Sequence, residues 1–248
     1  MTAASVRFSG VSKHYGGSTV LDDVDLEVEA ERTIAIVGES GSGKSTLLQL
    51  VNGLVRADSG RVEVLGEVLG EDLDTTDLLS LRRRIGYAVQ GSALFPHLDL
   101  RANVCLLAHL IGWSAGRIEE RFGRLLTLME LDPELSGRYP HELSGGQQQR
   151  ASLCRAMMLE PPLLLLDEPF SAVDPITRVG IHEHFQRLAA SEPVTVILVT
   201  HDLREALALS SALVILRAGR VVQQGPCADV VAKPADPWVA RLLETQLS

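Results

Sequence analysis

Hydrophobic and polar positions alternate strictly over residues 24–29, where Val24, Leu26 and Val28 are separated by acidic residues. This period of two is typical of a strand with one buried and one solvated face, as in an antiparallel sheet. Residues 33–37 are apolar without alternation, which predicts a strand covered on both faces. Residues 60–66 show a further short strand pattern, so the N-terminal part of the chain is predicted to be rich in strands.

A helical period follows over residues 116–131. The apolar side chains there recur at intervals of three and four, which places them on one face of a helix. They are Ile118, Phe122, Leu125, Leu126 and Met129. Further helices are predicted over 46–54, 146–159 and 178–190, and Pro161-Pro162 would end the second of these.

Continuous apolar runs predict the central strands of the second half of the chain. Residues 163–166 and 194–199 are expected to be buried parallel strands, and 213–216 with 221–223 a hairpin. Strands that alternate with helices imply a layered α/β core. Residues of about 92–155 are expected to form a helical insert in it.

Composition narrows the functional classes. Lys and Arg number 23 against 32 Asp and Glu, which gives a net charge of −9 and argues against a nucleic-acid partner. The absence of an apolar run of ~18 residues or a signal-peptide pattern favours a cytosolic chain that reaches a membrane only through a partner. The three cysteines, Cys105, Cys154 and Cys227, are expected to be buried thiols without a disulfide or zinc role.

The segment from Gly38 to Ser45 fits the pattern G-x-x-x-x-G-K-[ST] between a predicted strand and a predicted helix. Glycines let backbone N–H groups turn toward phosphate oxygens, and the helix N-terminus favours the same anion. Lys44 would place a charge on the β- and γ-phosphates, and Ser45 a hydroxyl on Mg²⁺. A Gly/Ser linker that contains a lysine by chance is the alternative.

Two acids follow the buried strand of residues 163–166, at the end where open α/β sheets bind ligands. Asp167 is predicted to join the Mg²⁺ shell, and Glu168, expected on the opposite side of the pleat, to orient or deprotonate water. The alternative is an acidic pair that merely ends a strand and caps a helix.

A third motif, Leu-Ser-Gly-Gly-Gln over residues 143–147, also fits a helix start, with Ser144 as cap and Gln147 three positions on. Together with the phosphate loop and the acidic pair, it resembles the nucleotide-binding subunit of ABC transporters from about residue 6 to about residue 231. The resemblance implies an α/β P-loop NTPase of ABC type, a RecA-like core with an antiparallel β subdomain and a helical subdomain. It also implies one ATP-binding domain over 1–248, with the helical subdomain at about 92–155. Because the sequence ends at Ser248, no C-terminal regulatory domain is expected.

The resemblance also assigns roles to individual residues. Tyr15 would stack on adenine, Gln90 would touch Mg²⁺ and report to membrane subunits, and His201 would contact the γ-phosphate. The signature at Ser144 would reach a γ-phosphate held by the other protomer, and Asp174 belongs to the loop that crosses between protomers. The implied nucleotide contacts are Tyr15, Gly38, Glu39, Ser40, Gly41, Ser42, Gly43, Lys44, Ser45, Thr46, Gln90, Ser144, Gly145, Gly146, Gln147 and Asp174. The implied metal contacts are Ser45, Gln90 and Asp167, and the catalytic residues Glu168, His201 and Lys44.

Partners follow from the same resemblance. Two copies would close around ATP, exposed Leu94, Phe95 and Pro96 would receive a helix of a permease, and an extracytoplasmic solute-binding protein would deliver solute. Several segments, among them residues 170–178 and 201–209, resemble the ATPases of osmoprotectant importers for glycine betaine, choline or carnitine. The alternatives are lipid-trafficking or amino-acid systems, a soluble mechanical ATPase, and a nucleotide-binding module without turnover.

Overall fold

The structure is a computed structural model that describes residues 4–70, 73–171 and 175–247. Its strands are β1 (Ala4–Tyr15), β2 (Ser18–Glu29), β3 (Thr33–Val37), β4 (Ser59–Val64), β5 (Glu67–Val68), β6 (Ile85–Ala88), β7 (Leu163–Asp167), β8 (Thr195–Thr200), β9 (Ala212–Arg217) and β10 (Arg220–Pro226). Its α-helices are α1 (Lys44–Val51), α2 (Thr75–Arg83), α3 (Leu100–Leu110), α4 (Ala115–Leu128), α5 (Gly145–Met157), α6 (Pro175–Ser191), α7 (Leu203–Leu209), α8 (Cys227–Ala232) and α9 (Pro237–Leu247). The chain divides into two compact units, Met1–Arg82 with Thr195–Ser248, and Arg83–Val194.

The first unit contains an antiparallel sheet in the order β2-β1-β4-β5. The alternation predicted over 24–29 is confirmed, because Val24, Leu26 and Val28 are buried while the acids between them are exposed. One face of this sheet therefore contributes to a core, and the other face carries charge.

A second set of strands in the first unit surrounds β3. Strands β8 and β9 pair with β3 on either side, both in parallel, and β10 pairs with β9 as the predicted hairpin. Residues 34–37 of β3 and all of β8 are buried, as their unbroken apolar runs predict. Parallel pairing brings the C-terminal ends of β3, β8 and β9 to one edge of the sheet.

The second unit combines β6 and β7, which pair in parallel, with helices α3 to α6. The stripe predicted on α4 is confirmed: Ile118, Phe122, Leu125 and Leu126 are buried, as is Met129 just after the helix. Helices α3 and α4 and most of α5, which ends at Met157, fall within the expected helical segment of about 92–155. The limits of this segment as a subdomain stay a prediction.

The structure differs from the sequence-based expectations in several elements. Helix α1 begins at Lys44 and not at Thr46, so the lysine and Ser45 belong to the helix itself. Strands β1, β5 and β6 and helices α2, α7, α8 and α9 had no predicted counterpart, and α3 was expected only as part of the helical insert. Cys105 and Cys154 are buried as expected, whereas Cys227 is only half-buried.

Within the described ranges, none of the helices has both the length and the apolar character needed to cross a membrane.

Candidate functional site

The candidate residues are distributed over both units of the chain. The first unit carries Tyr15, the phosphate loop of residues 38–46 and His201, and the second carries Gln90, the acidic pair and the signature. Asp174 lies outside the described residues.

The phosphate loop leaves β3 at a position where only glycine fits. An ideal Cβ at Gly38 would lie 2.1 Å from the carbonyl oxygen of Leu216 on β9. Gly43 has φ +105°, and a Cβ there would lie 2.7 Å from the carbonyl oxygen of Val20. Both glycines are therefore required by close backbone approach, and Gly43 also by a left-handed φ.

The turn between β9 and β10 also contacts this loop. The N–H of Gly219 donates to the carbonyl of Ser42 at 3.1 Å, and Gly219 in turn accepts from the N–H of Asp22 at 2.9 Å. Sequence reasoning missed Leu216 and Gly219 as supports of the loop, because nothing local marks a contact across some 180 positions of sequence.

Lys44 is buried against the loop that precedes it. Its ammonium donates to the carbonyls of Gly38 at 2.8 Å and Glu39 at 2.9 Å. Gly43 caps α1 without a side-chain hydrogen bond to the first turn, and the buried Ser42 hydroxyl has no hydrogen-bond partner in the described part of the chain. A cation, a helix N-terminus and an unsatisfied hydroxyl in one loop fit a phosphate group.

The strand register brings His201 to the same sheet edge as the phosphate loop. Val37 pairs with Thr200, so Gly38 and His201 each follow directly after a paired position of neighbouring parallel strands. Asp202 then caps α7 by accepting from the N–H groups of Arg204 at 2.9 Å and Glu205 at 3.2 Å. The cap fixes where the chain turns after His201.

Tyr15 ends β1 at a tight turn and is 44% exposed. The Lys13 ammonium lies 5.3 Å from the centre of the Tyr15 ring and donates to Asp58 at 2.9 Å. Asp58 also accepts from the backbone N–H of His14 at 2.6 Å. Hydrogen bonds from Lys13 and from that N–H lower the Asp58 pKa to about 2. Asp58, which sequence reasoning missed, therefore positions the turn that presents the Tyr15 ring.

In the second unit, parallel pairing of β6 and β7 joins Gln90 to the acidic pair. Ala88 of β6 pairs with Leu166 of β7. Asp167 directly follows Leu166, and Gln90 lies two residues after Ala88. Burial, and to a smaller extent the Asp167 charge, raises the pKa of Tyr87 to about 12.

Glu168 does not continue the pleat of β7, contrary to expectation. The strand ends at Asp167, and Glu168 takes φ +45°, a left-handed conformation that costs a non-glycine residue about 1–3 kcal/mol. The Ser171 hydroxyl and N–H both donate to the Glu168 carbonyl, at 3.0 and 3.3 Å, and hold the turn. The turn, not strand alternation, therefore separates the two carboxylates.

The signature opens α5 as a capping box, as its spacing predicts. Gln147 N–H donates to the Ser144 hydroxyl at 3.3 Å, and Ser144 N–H donates to the Gln147 side chain at 2.8 Å. The helix therefore begins at Gly145, with the positive end of its dipole at the signature.

Comparison with known proteins decides the family. A sequence profile described as "ABC transporter" matches residues 21–171. The chain belongs to the ABC transporter family. The matched stretch includes the phosphate loop, Gln90, the signature and the acidic pair of this ABC chain.

Several curated relatives align over nearly all of this ABC chain. It is 41% identical to the glycine betaine/carnitine/choline transport ATP-binding protein OpuCA of Bacillus subtilis, with 96% of this chain and 62% of that protein aligned. The glycine betaine uptake system ATP-binding protein YehX of Escherichia coli is 42% identical over 94% of this chain and 75% of that protein. The Fe(3+) ions import ATP-binding protein FbpC of Pseudomonas fluorescens is 42% identical, with 96% of this chain and 66% of that protein aligned. The chain thus spans about three fifths of the length of OpuCA.

Solved structures support the fold assignment of this ABC chain. The ATP-binding cassette MJ0796, described as a dimeric post-hydrolysis state bound to ADP and phosphate, superposes with a TM-score of 0.81 at 31% identity. The superposition covers 90% of this chain and 98% of that one. The chain therefore has the P-loop α/β fold of an ATP-binding cassette.

Proposed function

We propose that this chain is the ATP-binding and ATP-hydrolysing subunit of an ABC importer. The observation that carries the proposal is the phosphate loop, whose Gly38 and Gly43 tolerate no side chain and whose Lys44 ammonium lies against the loop backbone. The likeness to a cassette described with bound ADP and phosphate supports ATP as the nucleotide.

Each candidate residue has a proposed role in phosphoryl transfer. The loop of residues 38–46 binds the phosphates, Tyr15 stacks on adenine, and His201 contacts the γ-phosphate. Glu168 orients and polarises the attacking water. Little covalent chemistry is asked of the protein in this reaction, because positioning and charge stabilisation dominate it.

Magnesium is the proposed cofactor. Ser45, Gln90 and Asp167 offer a hydroxyl, an amide carbonyl and a carboxylate, the hard oxygen ligands that Mg²⁺ prefers. Mg²⁺, when bound, neutralises charge on the phosphate oxygens.

A second copy of the chain completes the proposed site. Residues 144–147 and Asp174 would act on the nucleotide held by the partner protomer, so ATP joins two copies and its hydrolysis releases them. The description of MJ0796 as dimeric supports this assembly. The γ-phosphate would thus favour the joined pair of chains over the separated chains.

Permease subunits at the cytoplasmic face of the membrane are the other proposed partners. The Phe95 ring is exposed, and Leu94 and Pro96 flank it in the same loop, which would receive a permease helix. A solute-binding protein on the outer side would deliver the solute. No nucleic-acid partner is proposed, in keeping with the net charge of −9.

Osmoprotectants such as glycine betaine or choline are the proposed solutes. OpuCA and YehX, both named for such compounds, support this class. An iron importer subunit is as similar, so the solute class is the part of the proposal that experiment must decide first. The runner-up is lipid trafficking or amino-acid uptake.

Phosphate release from Mg-ATP by the purified chain tests the enzymatic part of the proposal. Lys44→Ala is expected to lose ~100-fold or more in turnover, because it removes the charge aimed at the transferred phosphate. Lys233→Ala, at an exposed lysine outside the site, is the matched control and should keep wild-type turnover. Wild-type turnover in Lys44→Ala would overturn the site assignment.

Purification of the tagged chain from solubilised host membranes tests the transport part. Co-purification of a permease with a solute receptor that binds quaternary ammonium compounds is the expected result. A permease bound to a lipid-handling protein would favour the runner-up, and the absence of a membrane partner would contradict the importer assignment.

A further inference from the structure

The loop that follows Gln90 has an unusual backbone. Its residues 91–99 are called here the Gln90 loop. Gly91, Ser92 and Ala93 have φ values of +77°, +59° and +44° in succession. Two consecutive non-glycine residues in the left-handed region are held only where the surroundings determine the conformation.

Arg155 of α5 contacts the two left-handed residues directly. Its guanidinium donates to the carbonyls of Ala93 at 2.9 Å and Ser92 at 3.3 Å, and lies 5.6 Å from the centre of the Phe95 ring. The planar fork of arginine bridges two carbonyls in a way that a lysine ammonium does not reproduce.

Asn103 of α3 holds the distal part of the Gln90 loop. Its fully buried amide accepts from the N–H of Phe95 at 2.7 Å and donates to the Phe95 carbonyl at 3.1 Å. The same amide nitrogen also reaches the carbonyls of Leu98 and Asp99 at 2.8 and 3.0 Å. The backbone of the loop is thus fixed from two helices.

Gln148 connects the Gln90 loop with the approach to the signature. Its side-chain oxygen accepts from the Ser92 hydroxyl at 3.3 Å. Its side-chain nitrogen donates to the carbonyls of Pro140 at 2.9 Å and Leu143 at 3.2 Å. Leu143 directly precedes Ser144, the cap of the signature helix. The Gln148 amide therefore connects Ser92, in the Gln90 loop, with the residue just before the signature cap.

We propose that Gln148 and Arg155 are positioning residues that tie the Gln90 loop to the signature loop. Any displacement of Ser92 changes its hydrogen bond to Gln148. Because the same Gln148 amide also holds the carbonyls of Pro140 and Leu143, the change reaches the segment that precedes α5. The inference rests on the proposed ATPase function. It adds a hydrogen-bonded connection between the Gln90 loop and the signature within the second unit.

Hydrogen exchange tests the link without reference to turnover. Ser92→Ala removes the hydroxyl donor and is expected to raise amide exchange at least about threefold over 140–147, although no residue there is altered. Ser92→Gly separates the link from backbone strain, because glycine relieves the left-handed conformation but also lacks the hydroxyl. Faster exchange over 140–147 in both variants supports the link, and unchanged exchange in both overturns it.

Turnover provides the second measurement. Ser92→Ala and Gln148→Ala are each expected to lower kcat for ATP about tenfold with less than a twofold change in KM. The double variant should match the slower single variant, because residues that act as one unit are not additive. Gln148→Met, of similar length without polar atoms, serves if Gln148→Ala does not fold. Additive losses, or unchanged kcat in folded variants, would overturn the positioning role.

A further pair tests Arg155. Arg155→Lys should lose most of the turnover that Arg155→Ala loses, because one ammonium cannot bridge both carbonyls in the same geometry. Turnover restored by the lysine variant would contradict this role.

Gln223→Ala is the matched control. The Gln223 amide also bridges two backbone groups, donating to the Lys233 carbonyl at 2.9 Å and accepting from Ala235 N–H at 2.8 Å. In the part of the chain that the structure describes, neither bond involves a candidate site residue. It should leave both exchange over 140–147 and turnover unchanged. A wild-type chain without turnover would overturn the proposed function, and the exchange experiment would still decide the link.

Discussion

The carbonyl oxygen of Leu216 occupies the space that a side chain at Gly38 would need. An ideal Cβ at Gly38 would lie 2.1 Å from that oxygen and 2.7 Å from the Ser42 hydroxyl. Backbone atoms of a central strand cannot move aside as a flexible side chain does. The first glycine of the phosphate loop is thus fixed by the strand beside it, before any nucleotide is considered.

Gly38→Ala is therefore expected to destabilise the fold by about 1–3 kcal/mol, the usual cost of forcing a methyl group into a packed region. Nucleotide affinity should fall as well, because the loop must shift. Thermal or denaturant unfolding and ATP titration measure the two effects. Gly116→Ala, at a helix position with open space around it, should leave both unchanged or slightly stabilise the chain. Unaltered stability of Gly38→Ala would contradict the close approach.

Glu168→Gln is expected to trap two copies around ATP. The amide keeps the shape of the carboxylate but cannot polarise or deprotonate water, so turnover should fall by about 10²–10⁴. Light scattering at saturating Mg-ATP should then report twice the mass of one chain. Glu120→Gln, at an exposed acid on α4, should behave as wild type. A Glu168→Gln chain that stays monomeric would refute the proposed ATP-joined dimer of the isolated chain.

Asp58→Asn is expected to loosen the turn that presents Tyr15. The variant weakens the contacts to Lys13 and to the His14 N–H. The KM for ATP should rise about 2- to 10-fold at unchanged kcat, the range expected when one aromatic contact is misplaced. Equal loss of kcat would contradict a role confined to nucleotide binding.

The pH dependence of the same group has a definite sign. The Asp58 pKa is lowered from its ordinary 3.8 to about 2, so its stabilising contribution is present above pH 3.8 and is lost as the pH falls through about 2. The difference in unfolding free energy between wild type and Asp58→Asn should stay constant from pH 8 to pH 5. Measuring it in a His14→Ala background removes the neighbouring imidazole. A difference that shrinks within that range would contradict the assignment.

A buried ion pair stabilises the second unit. The side chains of Arg121 on α4 and Glu192 are 4% and 8% exposed, and Arg121 also donates to the Met157 carbonyl at 2.6 Å. Glu192→Ala should cost about 3–5 kcal/mol of unfolding free energy, because it leaves a buried guanidinium without its counter-charge. Glu160→Ala breaks an exposed ion pair with Arg117, which lies on α4 like Arg121, and should cost less than ~1 kcal/mol of unfolding free energy. Equal costs in denaturant unfolding would contradict this explanation.

Local patterns were sufficient for much of the fold and of the candidate site. The alternation in β2, the apolar runs of β3, β7 and β8 and the stripe of α4 all depend on neighbours within a few residues. The spacing of Gly38 and Lys44, and of Ser144 and Gln147, likewise reflects hydrogen bonds between residues at most six positions apart. For these features the sequence alone decided the outcome.

Contacts between distant segments could not be obtained in this way. Leu216 against Gly38, Asp58 beneath the Tyr15 turn, and Gln148 against Ser92 join positions whose separation carries no periodic signal. The left-handed turn at Glu168 also escaped prediction, since glutamate has no intrinsic preference for it and the Ser171 contacts hold it. Sequence by itself determined which residues have the chemistry to bind a phosphate. Only tertiary structure decided which backbone groups hold them in place, because strand pairing and helix packing alone bring those groups within hydrogen-bond distance.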